Sequence, residues 1–354
     1  MNTLIYLDYG KDDMRRLQVL FSVLSAHYYR VTHNQEFDII LYTDCPDQYR
    51  KLPVKLREIH AEELTIWKGP HQYNHRSKPA ALLDAMDDNS RAYALIDSDT
   101  FFLESPTKIF DAMDNGDAVM WKPEAPVADI EPLTAIREFE YHSAPDIYQL
   151  KNTTMTWNSG VIGIPGGNKK MARDIISVID LIHPQLDHLF VSEQYAASIV
   201  LENCYPLVSA EPWLEHYWGS RKKDLISDQL AWFFSEHSVE HLVCKPHLIH
   251  EFRPSFPEGN PDMETRVKHY VNLLRIYDSR VTTALLDIAY GQLKRKEPWL
   301  DATRRTYAEY GLRKMVKIKS RAKTLGPLKR LALGVQIFMA RLMIRIFLFR
   351  ASPI

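Results

Sequence analysis

Short apolar runs alternate with longer segments of helical period up to about residue 210, a pattern that a mainly parallel sheet covered by helices accommodates. The runs predict strands at Thr3 to Asp8, Phe37 to Tyr42, Val54 to Ile59, Ala92 to Ile96 and Ala118 to Trp121, with a further pair at Thr154 to Trp157 and Gly160 to Ile164. Helices are predicted at Asp12 to Val31, Arg76 to Met86, Lys169 to Ile182 and Ser192 to Leu201. Pro106 and Gly166-Gly167 fall where such elements start and stop. Past Ser227 the chain reads as mostly helical, with a short strand near Val243 and loops through the His- and Pro-rich stretch Lys245 to Pro257. With 354 residues, 45% hydrophobic and 25% charged, the chain can bury a full core. The expected organisation is an α/β domain over 1–260, a helical extension packed on it over 261–310 and a basic amphipathic tail over 311–354.

Three cysteines, Cys45, Cys204 and Cys244, have neither the count nor the spacing of a disulfide framework or a cysteine zinc site. Residues 1–8 carry no basic segment and meet Asp8 before an apolar core of signal-peptide length. Both observations predict a cytoplasmic protein.

The chemistry-bearing residues fall into three clusters. In the first, the apolar run Ala92 to Ile96 ends in Asp97-Ser98-Asp99, followed by Thr100-Phe101-Phe102-Leu103. Two acids one residue apart at the end of a buried strand lie at the carboxyl edge of a sheet, where open α/β sheets bind ligands. Oxygen ligands at that spacing suit Mg²⁺ or Mn²⁺, which neutralise a diphosphate; a surface turn accounts for Asp and Ser equally well. The second cluster is Asn158-Ser159-Gly160 between two strand-like runs, where Gly160 permits close approach and Asn158 offers both donors and an acceptor. A hairpin or bulge is its plain alternative. The third is His216-Tyr217-Trp218-Gly219-Ser220-Arg221-Lys222-Lys223, in which an imidazole suits a metal and cations suit phosphates. An aromatic loop with a solvated basic end is the alternative there.

Taken in order, Asp-x-Asp after a strand, Asn-Ser-Gly before an apolar strand, the acid-Gln pair Glu193-Gln194, and His216 with Gly219 and Lys222 resemble the retaining glycosyltransferases of family eight. That family includes glycogenin and bacterial lipopolysaccharide galactosyltransferases. The resemblance covers roughly Met1 to Lys223. It implies a GT-A (nucleotide-diphospho-sugar transferase) fold, a UDP-sugar-like donor, and Mn²⁺ or Mg²⁺ held by Asp97, Asp99 and His216, with His250 a rival third ligand. It further implies that Lys222 and Gly219 meet the diphosphate, that Asp97 and Ser98 belong to the nucleotide site, and that Asn158 and Glu193 orient donor or acceptor sugar. Lys78, opening the helix before the Asp-x-Asp strand, would reach the donor's phosphates or sugar, or remain a solvated lysine. Tyr6 and Asp8 at the end of the first strand would contact base and ribose, although Asp8 equally suits a helix cap.

The tail is the other distinctive feature. From Gly311 onward it holds eleven basic residues and no acid, leaving 33 basic against 45 acidic residues in the rest. Such asymmetry points to a polyanionic partner. Arg313, Lys317 and Arg321 recur at helical spacing opposite Leu312, Met315 and Val316, which makes a basic amphipathic helix. After Gly326-Pro327, residues Leu331 to Phe349 are nearly all apolar but include Arg341 and Arg345. An in-plane helix on a membrane surface avoids burying those arginines. A helix packed on the protein is the alternative, and the apolar density argues against nucleic acid. These features predict a peripheral protein at the inner face of the cytoplasmic membrane with a glycan or lipid-linked acceptor.

Two rivals remain from sequence. Asp-Ser-Asp-Thr also resembles the nucleophile motif of haloacid-dehalogenase-type phosphatases, though Thr100 comes one position early for that motif. A non-catalytic membrane-bound scaffold with a relict nucleotide site is the second.

Overall fold

The computed structural model describes residues 1–354 apart from 87–90, 127–147, 149–152, 187–190, 256–266, 269–270, 273–275, 277, 292–296, 323–332 and 341–354. The chain divides into two compact units, one formed by Met1–Tyr217 with His237–Phe252, the other by Trp218–Glu236 with Arg253–Ile354.

The first unit is a mixed α/β layer structure. Its seven-stranded sheet uses β1 (Thr3–Asp8), β2 (Asp38–Thr43), β3 (Lys55–Glu58), β4 (Tyr93–Ile96), β6 (Ala118–Met120), β9 (Val161–Ile164) and β10 (Leu207–Ser209). The spatial order is β10-β6-β9-β4-β1-β2-β3. β4, β1, β2 and β3 run parallel, whereas β9 lies antiparallel to both β4 and β6. Two small ribbons complete the strands. β5 (Thr100–Phe102) pairs with β11 (Leu214–His216), and β7 (Pro123–Pro126) pairs with β8 (Met155–Trp157), both antiparallel. The central strands are apolar along their length because both faces are covered: Leu4, Ile5, Tyr6, Ala94, Leu95 and Ile162 are buried.

The covering helices are α1 (Asp13–Thr32), α2 (Ala61–Lys68), α3 (Ser77–Ala85), α4 (Thr107–Asp114), α5 (Lys169–Ile182) and α6 (Ser192–Cys204). Asp12 starts α1 by accepting from the Met14 and Arg15 amides, which satisfies donors left open at a helix start. α5 turns one apolar stripe of Met171, Ile175, Val178, Ile179 and Ile182 onto the sheet. α6 is buried on all sides from Ser192 to Leu201.

Several predicted elements need correction. The two strands predicted at 154–157 and 160–164 are present but part company, β8 pairing with β7 while β9 enters the main sheet, so the hairpin alternative for Asn158-Ser159-Gly160 does not hold. Val239–Cys244 is a helix rather than a strand, and His247–Phe252 is a helix inside the stretch expected to be loops. Ser238 caps the former by accepting from the His241 amide, a local signal that outweighs the β preference of Val243.

The second unit is helical, with helices at Ser220–Glu236, Ser279–Tyr290, Pro298–Asp301 and Arg304–Ala322. Val281, Ala284, Leu285, Ile288, Met315, Ile318, Leu333, Ile337 and Ala340 share one core. At Gly311 a Cβ would come within 2.5 Å of Ile288 Cγ1 and 2.6 Å of the Ala284 carbonyl oxygen, so this glycine lets two helices cross closely. The helices Ser279–Tyr290 and Arg304–Ala322 therefore share a core. Met315, counted above with the tail's outward apolar side, belongs to that core, whereas Leu312 and Val316 are 54% and 66% exposed. No helix among the described residues is long and apolar enough to cross a membrane. Arg341, Arg345 and Arg350 lie outside the described residues.

Candidate metal and donor site

Strand register builds the site. β4 and β9 run antiparallel with Ile96 opposite Val161, and the Asp97 amide donates to the Gly160 carbonyl at 2.9 Å. Asn158-Ser159-Gly160 therefore lies beside Asp97. On the other side, β5 pairs with β11 so that His216 stands opposite Thr100, and the Tyr217 amide continues the pairing to the Asp99 carbonyl at 3.0 Å. Residues 60 and more positions apart thus meet at one strand end.

The ligand atoms of Asp97, Asp99 and His216 all lie within 4.8 Å of one another. His216 Nε2 is 3.5 Å from Asp99 Oδ1 and 3.9 Å from Asp97 Oδ2. Side chains around the imidazole fix its tautomer. Asn158 Nδ2 donates to Glu124 Oε1 at 2.9 Å, and Asn158 Oδ1 accepts from the Gly160 amide at 2.9 Å, so the amide can point only one way. The same Oδ1 is 3.0 Å from His216 Nδ1, which must therefore be the protonated nitrogen. Nε2 is left facing two carboxylates. A ligating histidine whose far nitrogen donates to an acceptor behind it is the arrangement metal sites use, and two carboxylate oxygens with an imidazole suit Mn²⁺ or Mg²⁺. Gly160 belongs to the same design: a Cβ there would come within 2.2 Å of His216 Nδ1. Trp121 stacks edge-on against the imidazole, with ring centroids 4.9 Å apart.

Lys78 and Glu193 form the neighbouring cluster. Lys78 Nζ donates to Asp97 Oδ2 at 2.8 Å and lies 3.4 Å from Glu193 Oε1. Burial alone would push the Lys78 amine down, but Asp97 and then Glu193 outweigh it and hold the amine above its ordinary value. Glu193 is buried at the start of α6. Its Oε1 accepts from Ser159 Oγ at 3.0 Å, and its Oε2 accepts from the Tyr73 hydroxyl. Burial would raise its carboxyl; Lys78, His75 and the hydroxyls together bring it below the usual carboxylate range.

The other predicted residues fall elsewhere. Tyr6 is fully buried, its hydroxyl accepting from Ser22, so its side chain is in the core and not with the cluster. Burial pushes that phenol well up. Asp8 is a buried acid that accepts from the Tyr49 hydroxyl and pairs with Arg15 Nε at 2.7 Å; Asp12, not Asp8, is the α1 cap. Burial raises the Asp8 carboxyl despite those partners. Ser98 is half-buried between the two acids. His250 stacks on Tyr28, ring centroids 4.6 Å apart, outside the Asp97, Asp99 and His216 group. Gly219, with φ +92°, and Lys222 belong to the second unit.

Sequence reasoning missed Glu124, which holds Asn158 through one oxygen and Gln194 Nε2 through the other at 2.8 Å. An exposed acid in Pro123–Pro126 carries no sequence signal of its own. Tyr73 was missed for the same reason: only folding brings it to Glu193.

No family model matches the chain. No curated protein is detectably similar to it in sequence. Solved structures similar to it include mouse xyloside xylosyltransferase 1 in its apo form, at 12% identity over 59% of this chain and 85% of that one, TM-score 0.40. Another is the galactosyltransferase LgtC in complex with donor and acceptor sugar analogues, at 11% identity over 72% and 98%, TM-score 0.44. A third is the bifunctional glycosyltransferase WbbM, at 12% identity over 69% and 51%, TM-score 0.42. Likenesses this low decide nothing about substrate or chemistry.

Proposed function

We propose that the chain is a metal-dependent glycosyltransferase of GT-A type that moves a sugar from a nucleoside-diphosphate donor, most simply a UDP-sugar, to a glycan or lipid-linked acceptor. The observation that carries this reading is the Asp97, Asp99 and His216 group with its tautomer set by Asn158. Asp97, Asp99 and His216 would hold Mn²⁺ or Mg²⁺, which when bound supplies positive charge opposite a departing diphosphate. Lys78 adds cationic charge for the phosphate oxygens. Asn158 and Glu193 have different parts from those the motif order implies. The described oxygens and amide of both are already engaged by protein groups, so Asn158 positions His216, and Glu193 positions Lys78. Retention of configuration is the outcome that the motif order supports.

The tail reading follows from charge. On the helix Arg304–Ala322, exposed Leu312 and Val316 alternate with exposed Arg313, Lys317 and Lys319. An exposed apolar pair framed by cations suits an anionic bilayer surface, where a lipid-linked acceptor would lie.

The test is hydrolysis of a panel of UDP-, GDP- and CMP-sugars with and without Mn²⁺. Turnover of one donor class that requires the ion is expected. Metal-dependent phosphatase activity without donor turnover would replace this reading with the phosphatase one, and no turnover of either kind would favour the scaffold.

A further inference from the structure

One oxygen atom has two prospective cations. Asp97 Oδ2 accepts from Lys78 Nζ at 2.8 Å, and the same Oδ2 is the atom 3.9 Å from His216 Nε2 across the metal group. Lys78 is confined there: its side chain is 14% exposed, and its second partner, Glu193 Oε1, is 3.4 Å away. Glu193 is itself fixed by Tyr73 and Ser159, so the amine can shift between Asp97 and Glu193 without losing a carboxylate partner. An ammonium and a divalent ion on one carboxylate oxygen repel strongly at low dielectric.

We propose that Lys78 is an internal counter-ion for Asp97 that a divalent ion must displace, so that the ion and a nucleoside diphosphate bind as a linked pair. With no ligand, the amine neutralises Asp97 and keeps three neighbouring carboxylates, Asp97, Asp99 and Glu193, from repelling one another. A divalent ion entering alone has to drive the amine from Asp97. Diphosphate oxygens give the amine a new anionic partner, so each ligand removes part of the cost that the other meets. Linkage requires the effect to be mutual: the diphosphate tightens the ion as much as the ion tightens the diphosphate.

This rests on Asp97, Asp99 and His216 being the metal site, and the experiment separates the two claims. Mn²⁺ binding is measured directly by titration, with and without UDP, for the wild type, Asp97→Asn, Lys78→Met, Lys78→Gln and Lys78→Arg. Mn²⁺ alone should bind about tenfold more tightly to Lys78→Met and Lys78→Gln, within the usual size of couplings between sites. UDP should then improve Mn²⁺ affinity less than in the wild type, while Lys78→Arg stays near the wild type. A lysine that merely scaffolds Asp97 predicts the opposite, looser Mn²⁺ binding once it is removed. Unchanged or weaker Mn²⁺ binding in both neutral variants, or an undiminished UDP effect, overturns the counter-ion proposal and leaves the metal site standing. Equal Mn²⁺ affinity in Asp97→Asn and wild type overturns the metal site itself. Two neutral variants of different polarity guard against one failing to fold.

Discussion

Beyond the end of β4, Lys78 pairs with two carboxylates, Asp97 and Glu193, and a third, Asp99, lies in one group with Asp97. In the helical unit a single buried carboxylate, Asp287, receives two cations, Arg221 through Nη2 and Lys314 through Nζ at 2.5 Å. Both are clusters of buried or half-buried charge, yet their balance is opposite. Where acids gather in a confined place with fewer bases, the arrangement suits a cation. Where every acid oxygen already has a base, the cluster ties helices together. Charge balance, more than burial, separates the candidate site from the strut.

The largest effect that sharpens this contrast lies in the strut. Asp287→Ala removes the acceptor shared by Arg221 and Lys314, which reach it from the helices Ser220–Glu236 and Arg304–Ala322. The expected loss is about 3 kcal/mol, near the low end for breaking a buried pair because both cations are partly exposed. Thermal unfolding checks it, and Mn²⁺ affinity should not change. Loss of Mn²⁺ binding without loss of stability would break the distinction. Next comes Asn158→Ala, which frees the His216 tautomer. Mn²⁺ affinity should fall by about 10- to 100-fold, the usual cost of removing an outer partner of a metal ligand, in a variant that still folds but melts earlier, since the buried Gly160 amide loses its acceptor.

Gly311→Ala should cost about 1 to 3 kcal/mol by overpacking against Ala284 and Ile288, again with no change in Mn²⁺ affinity. A smaller, surface effect is expected from Leu312→Glu with Val316→Glu. Sedimentation with anionic vesicles should drop while stability and donor hydrolysis persist; unchanged sedimentation would remove the membrane reading of this helix.

A further effect depends on pH. His27, in α1, is lowered from 6.5 to about 4 by burial and by Arg30. Its folded value is below its unfolded one, so the unfolded chain takes up a proton first as pH falls. His27 therefore costs nothing above about pH 6.5 and subtracts stability progressively between about pH 6.5 and about 4. Denaturant unfolding of His27→Gln should show a flatter decline over that window than the wild type.

Much of the first unit was legible because its signals are local and repetitive. β1, β4 and α5 follow apolar runs or one apolar stripe, and their predicted bounds agree with the structure to within a residue. β5, β7, β10 and β11 are three or four residues long, too short for periodicity to register, and β5 and β11 exist because they pair with each other. The candidate metal group was legible for another reason: Asp97, Asp99 and His216 were each named from type and order. Glu124 and Tyr73 could not be named, since their importance lies in which side chains they touch. Tyr6 shows the converse, since position at a strand end predicts exposure only if the side chain points outward, and Tyr6 points into the core. In the tail, charge was legible but destination was not, because Met315 and Ile318 could serve a core as well as a bilayer.

The most direct measurement is Mn²⁺-dependent hydrolysis of UDP-sugars by the wild type, Asp97→Asn and Asp99→Asn, with circular dichroism as the check on folding. Turnover in the wild type and a loss of at least about a thousandfold in both folded variants is expected if the ion on these carboxylates supplies several kcal/mol of transition-state stabilisation. Wild-type turnover that both variants retain would contradict it.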